Sequence, residues 1–248
     1  MVPPELQAAV WRHYRPGQCD DMRPSPEWHA AADAAIKSVA EQEAPRAVPT
    51  PIALAAPTGR LLWIDTETTG ATTSYRHQII EIAVAATERD GTMIDEPRSV
   101  LIALEPWSTQ DLRSIAVHGI DWRKSEFQAK AKPLRAVLER VLARLPGHTI
   151  AGHNVQFDIG FISDHCERLK LSQPAELAAK PLCTLAMARR LKKQGLLRID
   201  SCSLTSLRDV FGVGHAAHRA ASDLAANIEI YRAMLALESQ PLLKTGTQ

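Results

Sequence analysis

The spacing of apolar positions changes period along the chain. From Leu61 onward, short runs of consecutive apolar residues alternate with stretches that place leucine and valine three or four residues apart. The first pattern suits buried strands and the second suits helices packed on them. LLWID (61–65) reads as a strand, QIIEIAVAAT (78–87) as a second and TMIDEPRSVLIAL (92–104) as a third. Asp90-Gly91 between the second and third is a tight-turn pair, which predicts an antiparallel hairpin. PLRAVLERVLARL (133–145) has helical spacing, with Gly147 in its C-cap region. HTIAG (148–152) predicts a fourth strand and FDIGFISDHCERLKL (157–171) the helix after it. KPLCT (180–184) predicts a short fifth strand, followed by a helix through ARRLKK. SLTSLRDVFG (203–212) begins with a serine able to cap its helix and ends on Gly212. A long helix over 220–237 closes the pattern. The implied fold class is α/β, a mixed five-stranded sheet covered by helices.

Ahead of this pattern the composition differs. Residues 1–57 contain an Ala-rich helical stretch over about 29–43, then APRAVPTPIALAAPTG with Pro45, Pro49, Pro51 and Pro57. The expected organisation is a small helical N-terminal extension with its linker (1–57), a main domain (58–240) and a short tail (241–248). The chain is 45% hydrophobic and 23% charged, as a globular protein with a sizeable core should be. A formal net charge of +1 excludes a global field for nucleic acid or membrane, so any basic surface must be local. Two stretches are locally basic: Arg123 to Arg144, with seven cations against two glutamates, and ARRLKK. Either can follow the phosphates of a single strand; for the first the reading stays open, and for ARRLKK complementing its helix dipole, or solubility, is the favoured reading. Cys19, Cys166, Cys183 and Cys202 form no CxxC pair, the start lacks a signal-peptide pattern, and no apolar run spans a membrane. The expectation is reduced thiols in a cytoplasmic protein without a membrane partner.

Chemistry enters at LLWIDTETTG. Asp65 and Glu67 stand two apart on an extended backbone, so both carboxylates point the same way. Two adjacent anions repel unless a cation sits between them, and a hard divalent ion such as Mg²⁺ prefers carboxylate oxygen. GHNVQFD places Asp158 at a helix start after a strand, and HRAASD places Asp223 near the start of the last helix with His218 before it. Four acids at strand ends and helix starts, plus a histidine, are the parts of a two-metal phosphodiesterase.

DTETTG, HNVQFD and HRAASD, in this order, together with VHGI at 117–120, resemble the DEDDh 3′–5′ exonucleases. That family includes the proofreading epsilon subunit of bacterial DNA polymerase III, RNase T and oligoribonuclease. The resemblance covers about residues 58–238 and implies a ribonuclease H-like fold, with metal-dependent release of nucleoside monophosphates from 3′ ends. It implies Asp65, Glu67, Asp158 and Asp223 as ligands of two divalent ions (Mg²⁺ or Mn²⁺) and His218 as general base. Thr68, Thr69 and Gly70 would turn the chain beside the terminal nucleotide, the threonines serving as contacts or as ordinary turn residues. His118 and Ile120 would lie beside its base and sugar, Asn154 would hydrogen-bond it, and Phe157 would pack near the base or in the core. His153 is left between a structural bond and a substrate contact, while Glu81 and Asp164 receive no role.

The expected substrate is the 3′ end of single-stranded DNA, with RNA end-trimming or oligoribonucleotide clearance as the alternative, and a non-catalytic nucleic-acid-binding protein behind both. The final LESQPLLKTGTQ is shorter than a polymerase-binding tail, so a stand-alone enzyme is expected. Polymerase or clamp association rests only on the faint likeness of QPLLK to a clamp-binding motif.

Overall fold

A computed structural model describes residues 59–214 and 219–239. The N-terminal extension and its linker, His218 and the tail lie outside the described residues. Five strands form one mixed sheet: β1 (Arg60–Thr68), β2 (Ile79–Thr87), β3 (Arg98–Leu101), β4 (His148–Gly152) and β5 (Leu182–Cys183). Their order is β3-β2-β1-β4-β5; β2 runs antiparallel to β1 and β3, while β4 runs parallel to β1 and β5. The β2–β3 connection turns at Asp90-Gly91, where Gly91 has φ 86 and Asp90 Oδ1 accepts the Thr92 N–H. The helices are α1 (Leu112–His118), α2 (Ser125–Lys130), α3 (Leu134–Leu142), α4 (Gln156–Leu169), α5 (Thr184–Lys193), α6 (Leu204–Phe211) and α7 (Ala220–Glu238). Among the described residues no helix is long and apolar enough to cross a membrane.

Alternation along β1 separates the two faces of the sheet. Leu62 and Ile64 pack with α3 and α4, among Leu138, Val141, Ile159 and Ile162. Leu61 and Trp63 face the other way, against Ala188 and Leu191 of α5 and Leu224, Ile228 and Tyr231 of α7. Trp63 is fully buried, donates from Nε1 to Thr87 Oγ1 at 2.9 Å, and meets the Tyr231 ring edge-on at 5.2 Å. Each such side chain stabilises the fold by about 1.5–3 kcal/mol through removal from water. Asp65 and Glu67 continue the Leu61–Trp63 face and so point toward α7, where Asp223 resides.

Two departures from the sequence pattern have local causes. The third strand is confined to Arg98–Leu101, with single bridges Thr87↔Met93 and Ile102↔Lys132 on either side. Asp95 folds back to accept the Ala86 N–H and pairs with Arg144, and Pro97 has no N–H to contribute to a ladder. Helices α1 and α2 are seven and six residues long, too short to show a helical period in the sequence.

Candidate active site

Three elements bring the acids together. β1 supplies Asp65 and Glu67, and the register slips between Glu67 and Thr68, so the strand bends away just after its second carboxylate. α4 begins directly after β4 and carries Asp158 in its first turn; α7 carries Asp223 in its first turn. Both acids therefore sit at helix N-termini, where the dipole favours negative charge. Carboxylate oxygens of Asp65, Glu67 and Asp223 lie within 4.8 Å of one another. Asp158 is buried and belongs to the same electrostatic cluster: its charge ranks first among those acting on Asp65. Thr66 on the opposite face of β1 reaches Asp158, Oγ1 donating to Oδ1 at 2.7 Å, and ties α4 to the strand.

This crowding raises the proton affinity of the acids. Burial, then the charges of Asp158, Glu67 and Asp223, pushes Asp65 well above the usual carboxylate range. Burial followed by Asp223 and Glu81 pushes Glu67 up to about 8. Burial raises Asp158 to about 7 against the pull of the Thr66 hydrogen bond. Carboxylates so arranged keep protons at neutral pH unless a cation joins them. An oxygen-only donor set of this charge fits hard divalent ions such as Mg²⁺ or Mn²⁺.

Two buried charged residues beside the cluster went unassigned in the sequence. Arg208 of α6, 7% exposed at its side chain, places Nη2 2.8 Å from Asp223 Oδ1. Its Nε is buried without a hydrogen-bond partner among the described residues. The available signal was a cation on the apolar stripe Leu204, Leu207, Phe211, where the helix should face the core. Glu81 stands across from Glu67 in the β1–β2 ladder and is 1% exposed. It accepts from Arg219 Nε (3.1 Å) and Nη2 (2.9 Å), from Ser99 Oγ (2.7 Å) and from the Ala220 N–H (3.3 Å). Burial raises Glu81, but these bonds outweigh it and hold the carboxyl below its ordinary value. Glu81 thus caps α7 from β2 and sets the helix that bears Asp223. An acid inside the otherwise apolar run IIEIAVAAT was its signal.

The remaining sequence candidates divide. Thr69 is fully buried; its hydroxyl donates to the Thr109 carbonyl (2.6 Å) and accepts the Gln78 N–H (2.9 Å), so it is committed to the chain. Thr68 donates to the Gly70 carbonyl at 2.7 Å, and Gly70 leaves room for the His77 ring, which an added Cβ would meet at 2.4 Å. His118 accepts the Ile120 N–H on Nδ1 (3.0 Å), which leaves Nε2 to donate to the Thr68 carbonyl at 3.3 Å. The VHGI segment is in this way held against the DTETTG turn. Ile120 packs with Ile80, Trp122 and Phe127. Asn154 is exposed with φ 58, and Phe157 leans on Phe161 at 4.9 Å at the edge of the core. His153 bonds to Thr184 Oγ1 (3.1 Å), whose own partner is Asn227 Oδ1 (2.6 Å). Asp164 pairs with Arg168 and His165.

A family model described as exonuclease matches residues 62–231, well over half of the chain. The chain belongs to the exonuclease family. Its class is that of the 3′–5′ exonucleases, hydrolases of phosphodiester bonds. A relative, DNA polymerase III subunit epsilon of Rickettsia prowazekii (strain Madrid E), is 28% identical over 177 residues, covering 71% of this chain and 73% of its own. The fold is shared with exonuclease I of E. coli in complex with a dT13 oligonucleotide (21% identity, TM-score 0.63, 71% of this chain). Exonuclease I of Methylocaldum szegediense agrees similarly (24% identity, TM-score 0.61, 74% of this chain). This exonuclease spans only 40% and 41% of the length of those two chains. The matched segment contains all four acids, from β1 to the first turn of α7.

Proposed function

We propose that this exonuclease removes nucleoside 5′-monophosphates from the 3′ end of single-stranded DNA, with two divalent ions held by Asp65, Glu67, Asp158 and Asp223. The observation that carries the reading is the convergence of Asp65, Glu67 and Asp223 oxygens within 4.8 Å, with Asp158 beside them. When bound, such ions activate water and neutralise charge on the transferring phosphate. The chain's own contribution is placement. β1 presents two carboxylates on one face, Thr66 holds Asp158, Arg208 holds Asp223, and Glu81 fixes the start of α7. His218, five residues before Asp223, takes the proton of the attacking water, a task suited to imidazole. The terminal nucleotide lies at the Thr68–His118–Ile120 side. DNA is favoured because the relative named above is a DNA polymerase subunit and a neighbouring exonuclease I structure holds an oligo-dT strand.

The test is a time course on matched 5′-labelled DNA and RNA oligonucleotides with Mg²⁺, Mn²⁺ or EDTA. A ladder shortening one nucleotide at a time, metal-dependent and faster on DNA, supports the proposal. Faster RNA trimming would reassign the substrate, and inertness on every strand would leave a binding protein.

A further inference from the structure

A cavity of about 670 Å³ is bounded by the β4–α4 segment, α5 and the segment entering α6. Its position follows from the sheet. Trp63 of β1 pairs with Ala151 of β4, and two residues further along stand Asp65 and His153. The near wall, His153 and Asn154, belongs to the segment between β4 and α4, which leads directly into the helix turn that carries Asp158. His118 and Ile120 lie on the opposite flank, with β2. Were the last nucleotide to sit against His118 and the scissile phosphate at the acids, the strand would run on toward this cavity.

The lining suits such a guest. His153 and Asn154 form the near wall, α5 contributes Arg189 and Lys192, and the segment entering α6 closes the far side. The volume falls within the roughly 300–1,000 Å³ of sites that hold small ligands. His153 is a fixed wall: its Nδ1 bonds to Thr184 Oγ1, which is itself bonded to Asn227. Burial, then Arg189, lowers its pKa to about 4, so the wall is neutral at physiological pH. Asn154, exposed in the left-handed region, offers an amide donor and acceptor at the mouth.

The cations of α5 are not equivalent. Arg190 pairs with Glu238, and Lys192 Nζ donates to the Asp200 carbonyl at 2.7 Å. Lys192 and Asp200 also bring opposite charges to the lining. Arg189 is exposed on the cavity and has no hydrogen bond or ion pair among the described residues. Complementing the helix dipole would ask nothing of its position, whereas a guanidinium with no protein partner among the described residues, set on a cavity wall, is placed for phosphate.

We propose that this cavity receives the one or two nucleotides preceding the scissile bond, and that Arg189 grips their phosphate, making the enzyme prefer oligonucleotides over single-nucleotide esters. The inference rests on the acidic cluster being the phosphodiesterase centre.

The experiment compares wild type, Arg189→Ala and Arg189→Lys on a single-stranded oligonucleotide and on thymidine 5′-monophosphate p-nitrophenyl ester, which supplies one nucleotide only. In Arg189→Ala the ratio of oligonucleotide to ester kcat/KM falls about tenfold, mainly through oligonucleotide KM, as loss of one charged hydrogen bond predicts. The slope of log affinity against log salt becomes shallower by about 0.7, one phosphate contact on a single strand. Arg189→Lys keeps the slope because the point charge remains. An unchanged ratio and slope in Arg189→Ala overturns the proposal, as does equal loss on both substrates. Anisotropy of a labelled oligonucleotide in EDTA reads binding without catalysis. An inert wild type whose binding still depends on Arg189 contradicts the exonuclease function and leaves the cavity assignment standing. Arg189-independent binding removes the cavity assignment alone.

Discussion

Gly152 is where the smallest perturbation should reach the site. It ends β4, and a Cβ built there meets the Ile64 carbonyl oxygen at 2.8 Å and Val155 Cβ and Cγ2 at 3.0 Å. Ile64 precedes Asp65, and Val155 precedes the helix whose first turn holds Asp158. Ordinary contact begins at 3.4 Å, so in Gly152→Ala the strand and the helix start must separate by about 0.6 Å. Overpacking of this kind costs about 1–3 kcal/mol of stability. Misplacement by about 1 Å can cost 10²-fold in rate, so roughly half that displacement predicts a loss of order tenfold in kcat. Gly160 is the internal control: it is exposed on α4, and an added Cβ there meets nothing within 4 Å. Gly160→Ala should stabilise by about 0.5–1 kcal/mol with kcat unchanged. The assays are urea denaturation and p-nitrophenolate release from the thymidine ester with saturating Mn²⁺. Wild-type stability and rate in Gly152→Ala would refute the claim that Gly152 sets the spacing of the two acids.

Glu81→Gln removes the charge that Arg219 meets, and should cost about 1–3 kcal/mol in urea denaturation, less than a fully buried pair because the 53% exposed Arg219 can turn to water. His218→Ala should lower kcat by about 10²–10⁴ with Mn²⁺ affinity by calorimetry little changed, since its role is proton transfer. His165 is buried, accepts the Ile79 N–H on Nε2 (3.1 Å) and faces Asp164 through Nδ1, and burial lowers its pKa despite Asp164. Both His165 and His153 have folded pKa values below the unfolded 6.5, so below 6.5 the unfolded chain binds protons that the folded chain refuses. Their stability contribution is full above 6.5 and is lost as pH falls, toward about 4 for His153. Urea midpoints taken in Mg²⁺, so that the acidic cluster is neutralised, should fall across that window; a flat profile would contradict the assignment.

The sheet was legible because strands such as LLWID and HTIAG are buried on both faces and announce themselves as apolar runs, and Ser203 and Gly212 bound α6 as caps should. Asp65 and Glu67 were legible for the same geometric reason: strand alternation puts them on one face whatever the partner elements are. What the sequence hid depends on contacts between distant positions. The Glu81–Arg219 pair links residues 138 apart, and Arg208 meets Asp223 only because α6 packs on α7. The role of the basic run from Arg123 to Arg144 was open in the sequence; its Arg123, Arg135 and Arg144 pair with Asp121, Glu139 and Asp95. Arg189 stands apart from its neighbours in ARRLKK only once Arg190 and Lys192 are seen to be engaged. Thr69 could be read as substrate contact or turn residue, and its two bonds to the chain favour the turn.

The most direct test of the acidic cluster as a catalytic metal centre is p-nitrophenolate release from thymidine 5′-monophosphate p-nitrophenyl ester, comparing wild type with Asp65→Asn in Mn²⁺ and in EDTA. The expected result is turnover by wild type with Mn²⁺, none in EDTA, and none above background in Asp65→Asn, with that variant folded by circular dichroism. Equal release by wild type and Asp65→Asn, or release that persists in EDTA, would contradict it.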